Sequence, residues 1–180
     1  MTPTLNMPSS TALSFRFTRR HLAQSREKEL VRGINSPETG TQAQAIGRSR
    51  GGLTTKIVAL VDALGNLLRF MLLPGQAHDM KGVAPLIRGV SFEALLADKA
   101  FDANWLLEEL DARGAAAVIP PKANRKQQRD YDTHACKWWH LIENYFAKIK
   151  EFRGVATRYD KTDCSYTANW NLVAALIASR

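Results

Sequence analysis

Before Glu27 the chain contains no aspartate or glutamate, and its 180 residues include only two cysteines, Cys136 and Cys164. The first absence leaves an opening segment whose charges are all arginine (Arg16, Arg19, Arg20, Arg26) among serines and threonines, a composition shared with organellar transit peptides. The second excludes a disulfide scaffold. The two cysteines also lack any metal-ligand spacing, so they read as free thiols of a reducing compartment. No apolar run reaches the roughly 18 residues needed to cross a bilayer, and one of the longest, Leu67 to Leu73, is broken by Arg69. The chain therefore reads as a protein without membrane spans. No glycine-rich loop joins a strand to a helix in the order that nucleotide-binding loops require, because Gly47 to Gly52 precedes a strand instead.

Positive charge is plentiful. Lys and Arg number 25 against 17 acids, for a net charge of +8, which favours a polyanionic partner such as nucleic acid. With 45% hydrophobic residues, a chain of this length supports one compact α/β core plus a tail.

Residues 1–52 show no sustained periodicity and end in Gly47-Arg-Ser-Arg-Gly-Gly52, so they are expected to form a basic, mostly irregular tail with one short helix around Arg19 to Val31. The folded part then covers 53–180. Thr54 to Val61 and Asn66 to Leu73 suit strands, and Asp62 to Asn66 supplies turn chemistry between them, which predicts a hairpin. Asp79 is placed to cap a helix over Met80 to Arg88. Phe92 to Ala97 reads as a buried strand ending at Asp98, and Asp102 is placed to cap a helix through Trp105 to Arg113. Gly114 closes that helix, and Ala115 to Ile119 returns as a strand before Pro120 and Pro121. Strand, helix, strand in this order predicts a parallel pair with a right-handed crossover. A basic loop, Lys122 to Arg129, leads to a long helix from His134 to Phe152. Its Trp138, Leu141, Ile142, Tyr145, Phe146 and Ile149 recur at helical spacing and are expected to bury. A last helix, capped by Asp163 and running to Ile177, completes helices packed on a mixed sheet.

Two acids stand out. Asp98 sits at the carboxyl end of an apolar strand, where open α/β sheets place functional groups, although a capping role or a pairing with Lys99 accounts for the position equally well. Glu143 shares a helix face with Cys136, Trp139 and Lys150, turned away from the apolar stripe; taken alone it is an ordinary solvated glutamate. Brought together, two such hard oxygen donors suit Mg²⁺.

Seven ordered segments carry a family resemblance. They are Gly47-Arg-Ser-Arg-Gly-Gly-Leu-Thr-Thr-Lys56, Val61-Asp-Ala-Leu-Gly-Asn66, Gly75-Gln-Ala-His-Asp79, Leu95-Leu-Ala-Asp-Lys-Ala-Phe-Asp102, Ile119-Pro-Pro-Lys122, His140-Leu-Ile-Glu-Asn-Tyr-Phe146 and Ala156-Thr-Arg-Tyr-Asp-Lys-Thr162. Together they resemble the insertion-sequence-five group of DDE transposases, from about Thr41 to the C-terminus. The resemblance implies a ribonuclease-H-like mixed sheet flanked by helices, with an Asp, Asp, Glu triad holding Mg²⁺ (or Mn²⁺), and makes 53–180 the catalytic domain. It matches Asp98 to the second acid and Glu143 to the third. In such a site two metal ions clamp the attacking and leaving oxygens of an in-line phosphoryl displacement. Lys150 resembles the family's DNA-contacting lysine, and Arg48, Arg50, Lys122, Arg125 and Lys126 are further candidates for DNA contact. The implied partners are the terminal inverted repeats of the element, target DNA, and a second copy of the chain or an upstream-frame partner chain. The implied location is the bacterial cytoplasm, at the nucleoid when bound to DNA.

The chain also departs from that pattern. The family's first acid lies in a short apolar segment upstream of Gly47, and no such Asp is found here, so the first strand is expected to be missing or altered. Where the family's helix motif has a tyrosine and an arginine, this sequence has Cys136 and Trp139. These departures predict weak metal affinity and impaired strand transfer. Neither Asp62, in a turn, nor Asp102, as a cap, is expected to stand in. A replaced upstream segment, from a frameshift or an alternative start, accounts for the tail, as does an upstream frame that supplies the strand. The competing functional reading is a catalytically inactive DNA-binding remnant, or an inhibitor of intact transposase.

Overall fold

The structure is a computed structural model that describes residues 44–49, 52–125, 128–132 and 138–179 in full and residues 12–21 as backbone. Its strands are β1 (Ala12–His21), β2 (Gly47–Ser49), β3 (Gly52–Val61), β4 (Leu67–Pro74), β5 (Ala94–Ala97) and β6 (Ala116–Val118). Its helices are α1 (Val83–Ile87), α2 (Asn104–Ala112), α3 (His140–Lys150), α4 (Arg153–Ala156) and α5 (Asp163–Ala178), with short 3₁₀ turns at Asp79–Gly82 and Lys99–Phe101. The strands hydrogen-bond in the order β2-β3-β1-β5-β6, and β4 pairs with β3. Among the described residues no helix is long and apolar enough to cross a membrane.

A strand occupies Ala12–His21, inside the segment expected to be a mostly irregular tail over 1–52, and it carries no acid, which leaves the expected first strand altered instead of missing. Leu13, Phe15 and Phe17 alternate with Ser14, Arg16 and Thr18, the period-two pattern of a strand. The acid-free, arginine-rich surroundings concealed that alternation. β2 also lies within the expected tail, pairing antiparallel with β3 through Gly47↔Thr54 and Ser49↔Gly52. The helix expected around Arg19 to Val31 falls in part on β1, and the rest lies outside the described residues.

The chain forms two compact units. The first comprises Met1–Arg16, Ala59–Phe70 and Val83–Tyr145. Within it β1 runs parallel to β5 (Ala12↔Ala94 to Phe15↔Ala97), and β5 runs parallel to β6 (Ala94↔Ala116 to Leu96↔Val118), so the anticipated parallel pair around α2 is present. Ala94, Leu96 and Val118 pack together against Ala63 and Ala116. The β3–β4 turn is built by Asp62, whose carboxylate accepts the N–H groups of Leu64 (2.9 Å) and Asn66 (2.8 Å), while Gly65 supplies a φ of 82°. That occupation keeps Asp62 in the turn.

The second unit comprises Phe17–Val58, Met71–Gly82 and Phe146–Arg180. Its aromatic core joins Phe146, Tyr166 and Trp170 edge to face, with centroids 6.1 and 6.4 Å apart. At the open end of the hairpin the Gly75 N–H donates to the Thr54 carbonyl at 3.0 Å. A methyl group at Gly75 would collide with Thr54 Oγ1 and press on the carbonyls of Thr54 and Gly47. Gly75→Ala is therefore expected to cost about 1–3 kcal/mol, read as a lowered thermal midpoint; an unchanged midpoint would contradict this close approach.

The long helix keeps the anticipated stripe in part. Ile142, Tyr145, Phe146 and Ile149 are buried, but Trp138 is 46% exposed. Regular helix starts at His140, and Trp138 and Trp139 lie in a 3₁₀ turn before it. Such a turn advances by about 120° per residue instead of about 100°, which takes Trp138 out of phase with the stripe. Residues 133–137, including Cys136 and the expected helix start at His134, lie outside the described residues.

All three expected helix caps are corrected. Asp79 turns to Lys56 Nζ at 2.8 Å, and α2 starts from Ala103 without a side-chain cap. α5 is capped by Thr162, whose hydroxyl accepts the Ser165 N–H at 3.2 Å. Each of the three carboxylates is instead paired with a cation, Asp79 with Lys56, Asp102 with Arg125 and Arg129, and Asp163 with Arg158, and at α5 the Thr162 hydroxyl takes the capping position.

Candidate functional site

Asp98 follows directly on the four buried residues of β5 and is itself exposed. Its Oδ1 accepts the Ala100 N–H, which caps the 3₁₀ turn at Lys99–Phe101. The capping role and a functional role are compatible, since this bond engages one carboxylate oxygen. Because β5 and β6 are parallel, the loops leaving Ala97 and Val118 emerge at the same edge of the sheet, where α/β proteins hold ligands.

Glu143 lies in the first turn of α3 and is exposed, as is Lys150 at the end of the helix. Both stand opposite the buried stripe, as their spacing predicts. β1 offers no partner acid anywhere along its ten residues. One step beyond the paired positions Phe15↔Ala97, the two chains carry Arg16 and Asp98, so the register position level with Asp98 belongs to a cationic residue. Among the described residues, no three His, Cys, Asp or Glu side chains gather closely enough to hold a metal ion. Among the described residues the acids therefore do not make up a three-carboxylate metal site.

The candidate basic residues divide. Arg48 is exposed on β2, while Arg50 and Lys126 lie outside the described residues. Lys122 and Arg125 are gathered by Asp102, whose side chain is only 1% exposed. The Lys122 N–H donates to Asp102 Oδ2 at 2.9 Å, and its Nζ donates to the Asp102 carbonyl at 3.0 Å. Arg125 Nε lies 3.0 Å from Oδ2, and Arg129 Nη1 lies 3.2 Å from Oδ1. Gln128 donates to the carbonyls of Lys122 and Arg125, closing the loop on itself. Burial alone would raise the Asp102 carboxyl, but the Lys122 N–H and the Arg129 and Arg125 guanidinium groups outweigh it and hold it below its ordinary range. Asp102 is thus the anchor of the basic loop, a role its sequence position beside α2 did not signal.

Two further clusters in the second unit went unread in the sequence. Lys56, nearly buried, donates to the Ala77 carbonyl at 2.6 Å and pairs with Asp79. Arg158 is fully buried, donating to Thr55 Oγ1 at 2.6 Å and pairing with Asp163 at 2.7 Å, with its guanidinium 4.9 Å from the Tyr166 ring centre. Segments far apart in the chain, around Thr55-Lys56, Asp79 and Arg158, therefore carry residues that pair within one unit. The signal available was charged residues set inside or beside apolar strands, as in Thr54-Thr-Lys-Ile-Val58.

The family model described as a transposase DDE domain matches residues 31–178. A protein of Brucella ovis named as transposase for insertion sequence element IS6501 is 32% identical over 127 residues, covering 69% of this chain and 98% of that protein.

Proposed function

The chain belongs to the DDE transposase domain family of insertion sequences, and from that premise we propose that it is an impaired copy of a DNA strand-cleaving and strand-transferring enzyme. The observation that carries this reading is β1, a strand with no carboxylate, set between β3 and β5, the strand that Asp98 directly follows. The order of a central strand flanked by the β3–β4 hairpin on one side and parallel β5 and β6 on the other supports a ribonuclease-H-like arrangement of the insertion-sequence-five type. In this reading Asp98 and Glu143 are the remaining ligands for Mg²⁺ (or Mn²⁺), and the ion's contribution in such enzymes is to stabilise charge on the scissile phosphate. Lys150, Arg48, Arg50 and Lys126 contact the phosphates of element ends and target DNA, and Lys122 and Arg125 do so from the loop that Asp102 anchors. Two carboxylates hold divalent ions more weakly than three, so cleavage is slow and requires high metal concentrations.

The test is nicking of DNA bearing the element ends, with Mg²⁺ or Mn²⁺ titrated into the millimolar range. Weak nicking that Glu143→Gln abolishes is the expected result, and nicking indifferent to Glu143→Gln would overturn it. A second reading, a DNA-binding remnant or inhibitor of intact transposase, is favoured by the same acid-free β1 and by the net charge of +8. It predicts salt-sensitive binding with no nicking at any metal concentration.

A further inference from the structure

The helix that carries Glu143 begins with an aromatic pair that the core does not use. Trp138, which the apolar spacing assigns to the buried stripe, is 46% exposed. Its ring lies 6.4 Å from that of His140 with 26° between the planes, a stacked arrangement, and His140 is exposed as well. His140 is the first residue of α3, and Glu143, three positions on, shares its side of the helix.

A large exposed aromatic costs hydrophobic burial, and a stacked aromatic neighbour fixes the orientation of its ring. Flat, oriented rings of this kind bind other flat rings by their faces. Nucleobases fit, whatever their identity, because each presents a π-face. A paired and stacked base is inaccessible to such a platform, whereas a base displaced from its stack is accessible. An apolar protein partner is a poorer match, since Glu143, Asn144 and Lys148 stand exposed along the same helix.

We propose that Trp138 and His140 form a stacking platform for an unpaired nucleobase of bound DNA, one helical turn ahead of Glu143. The proposal rests on the reading of this chain as a DNA-binding transposase domain. It makes Trp138 a base-contacting residue and assigns the exposed start of α3 to recognising distorted or frayed DNA instead of intact duplex.

The experiment uses the full chain and three duplexes of one sequence: one fully paired, one with a single unpaired 2-aminopurine, and one with an abasic site at that position. Quenching of the 2-aminopurine on binding is expected, with affinity about tenfold higher for the unpaired base than for the abasic duplex, the scale of one base–aromatic stack. Trp138→Ala should erase that preference and leave affinity for the paired duplex, and its salt dependence, unchanged. Trp138→Phe should retain most of the preference. His140→Ala should reduce it, giving an independent readout should Trp138→Ala fold poorly. Equal affinity of the unmodified chain for the unpaired and abasic duplexes overturns the platform while leaving DNA binding intact. So does a Trp138→Ala loss that is the same for all three duplexes. Failure to bind any of the three overturns the DNA-binding reading and the platform with it.

Discussion

Replacing Asp102 by asparagine is expected to destabilise the protein by about 3 kcal/mol, the usual cost of removing one member of a buried ion pair. The carboxylate is 1% exposed and faces two arginines that are each about a quarter exposed (23% and 24%), so the substitution leaves two guanidinium groups with reduced compensation. It also weakens the acceptor of the Lys122 N–H. The pH dependence has a definite sign. The folded carboxyl is held below the usual carboxylate range, so its stabilising contribution is complete above about pH 4 and is lost as the pH falls through the lower folded value. Urea unfolding at neutral pH should show the deficit. Acid titration of the unmodified chain should lose stability below pH 4 more steeply than Asp102→Asn. Equal acid sensitivity of the two proteins would refute the role assigned to this carboxylate. The loop it holds follows β6 at the same sheet edge as Asp98, so Asp102→Asn also tests whether the anchoring of Lys122 and Arg125 contributes to DNA affinity.

The sequence exposed those parts of this fold whose local signal and tertiary environment agree. The β3–β4 hairpin was legible because Asp62, Gly65 and Asn66 supply turn chemistry that needs no outside partner. The β5-α2-β6 unit was legible because apolar runs, a helical stripe and the Pro120-Pro121 stop all agree. β1 was not, since its alternation spans few residues and lies in a segment whose composition signals solvent. The three helix caps were misassigned because a local rule chose Asp79, Asp102 and Asp163 on position alone. Their actual partners, Lys56, Arg125 with Arg129, and Arg158, include residues 23 and 27 positions away in the chain. For the candidate site, the positions of Asp98 at a strand end and Glu143 on an exposed helix face could be read from spacing. The placement of an acid-free strand beside Asp98 required the register Phe15↔Ala97, which no single-strand pattern contains.

Arg158→Lys is expected to cost about 2 kcal/mol and Arg158→Met about 4 kcal/mol, even though lysine preserves the charge. The fully buried guanidinium uses its fork. Nη1 reaches Thr55 Oγ1 and the Ala45 carbonyl (3.4 Å), Nη2 reaches Asp163 Oδ1, and Nε reaches the Asp160 carbonyl (3.1 Å). A lysine places one ammonium on a single point and cannot hold acceptors on three sides, nor lie flat against Tyr166. The same cluster pins the chain where it enters β2. Asp163 Oδ2 accepts the Ala45 N–H at 2.7 Å, Thr55 Oγ1 donates to the Ala45 carbonyl at 2.6 Å, and Gln44 accepts the Asp163 N–H. Loss of the fork should therefore loosen Gln44 to Ile46 before it unfolds the unit, since the segment is held by these polar contacts at the N-terminus of α5. Hydrogen exchange at Ala45 should accelerate in Arg158→Lys by more than the global destabilisation accounts for. Exchange that tracks global stability alone would mean the fork contributes only to the core, and stability equal to the unmodified chain would mean that charge, not geometry, is what position 158 requires.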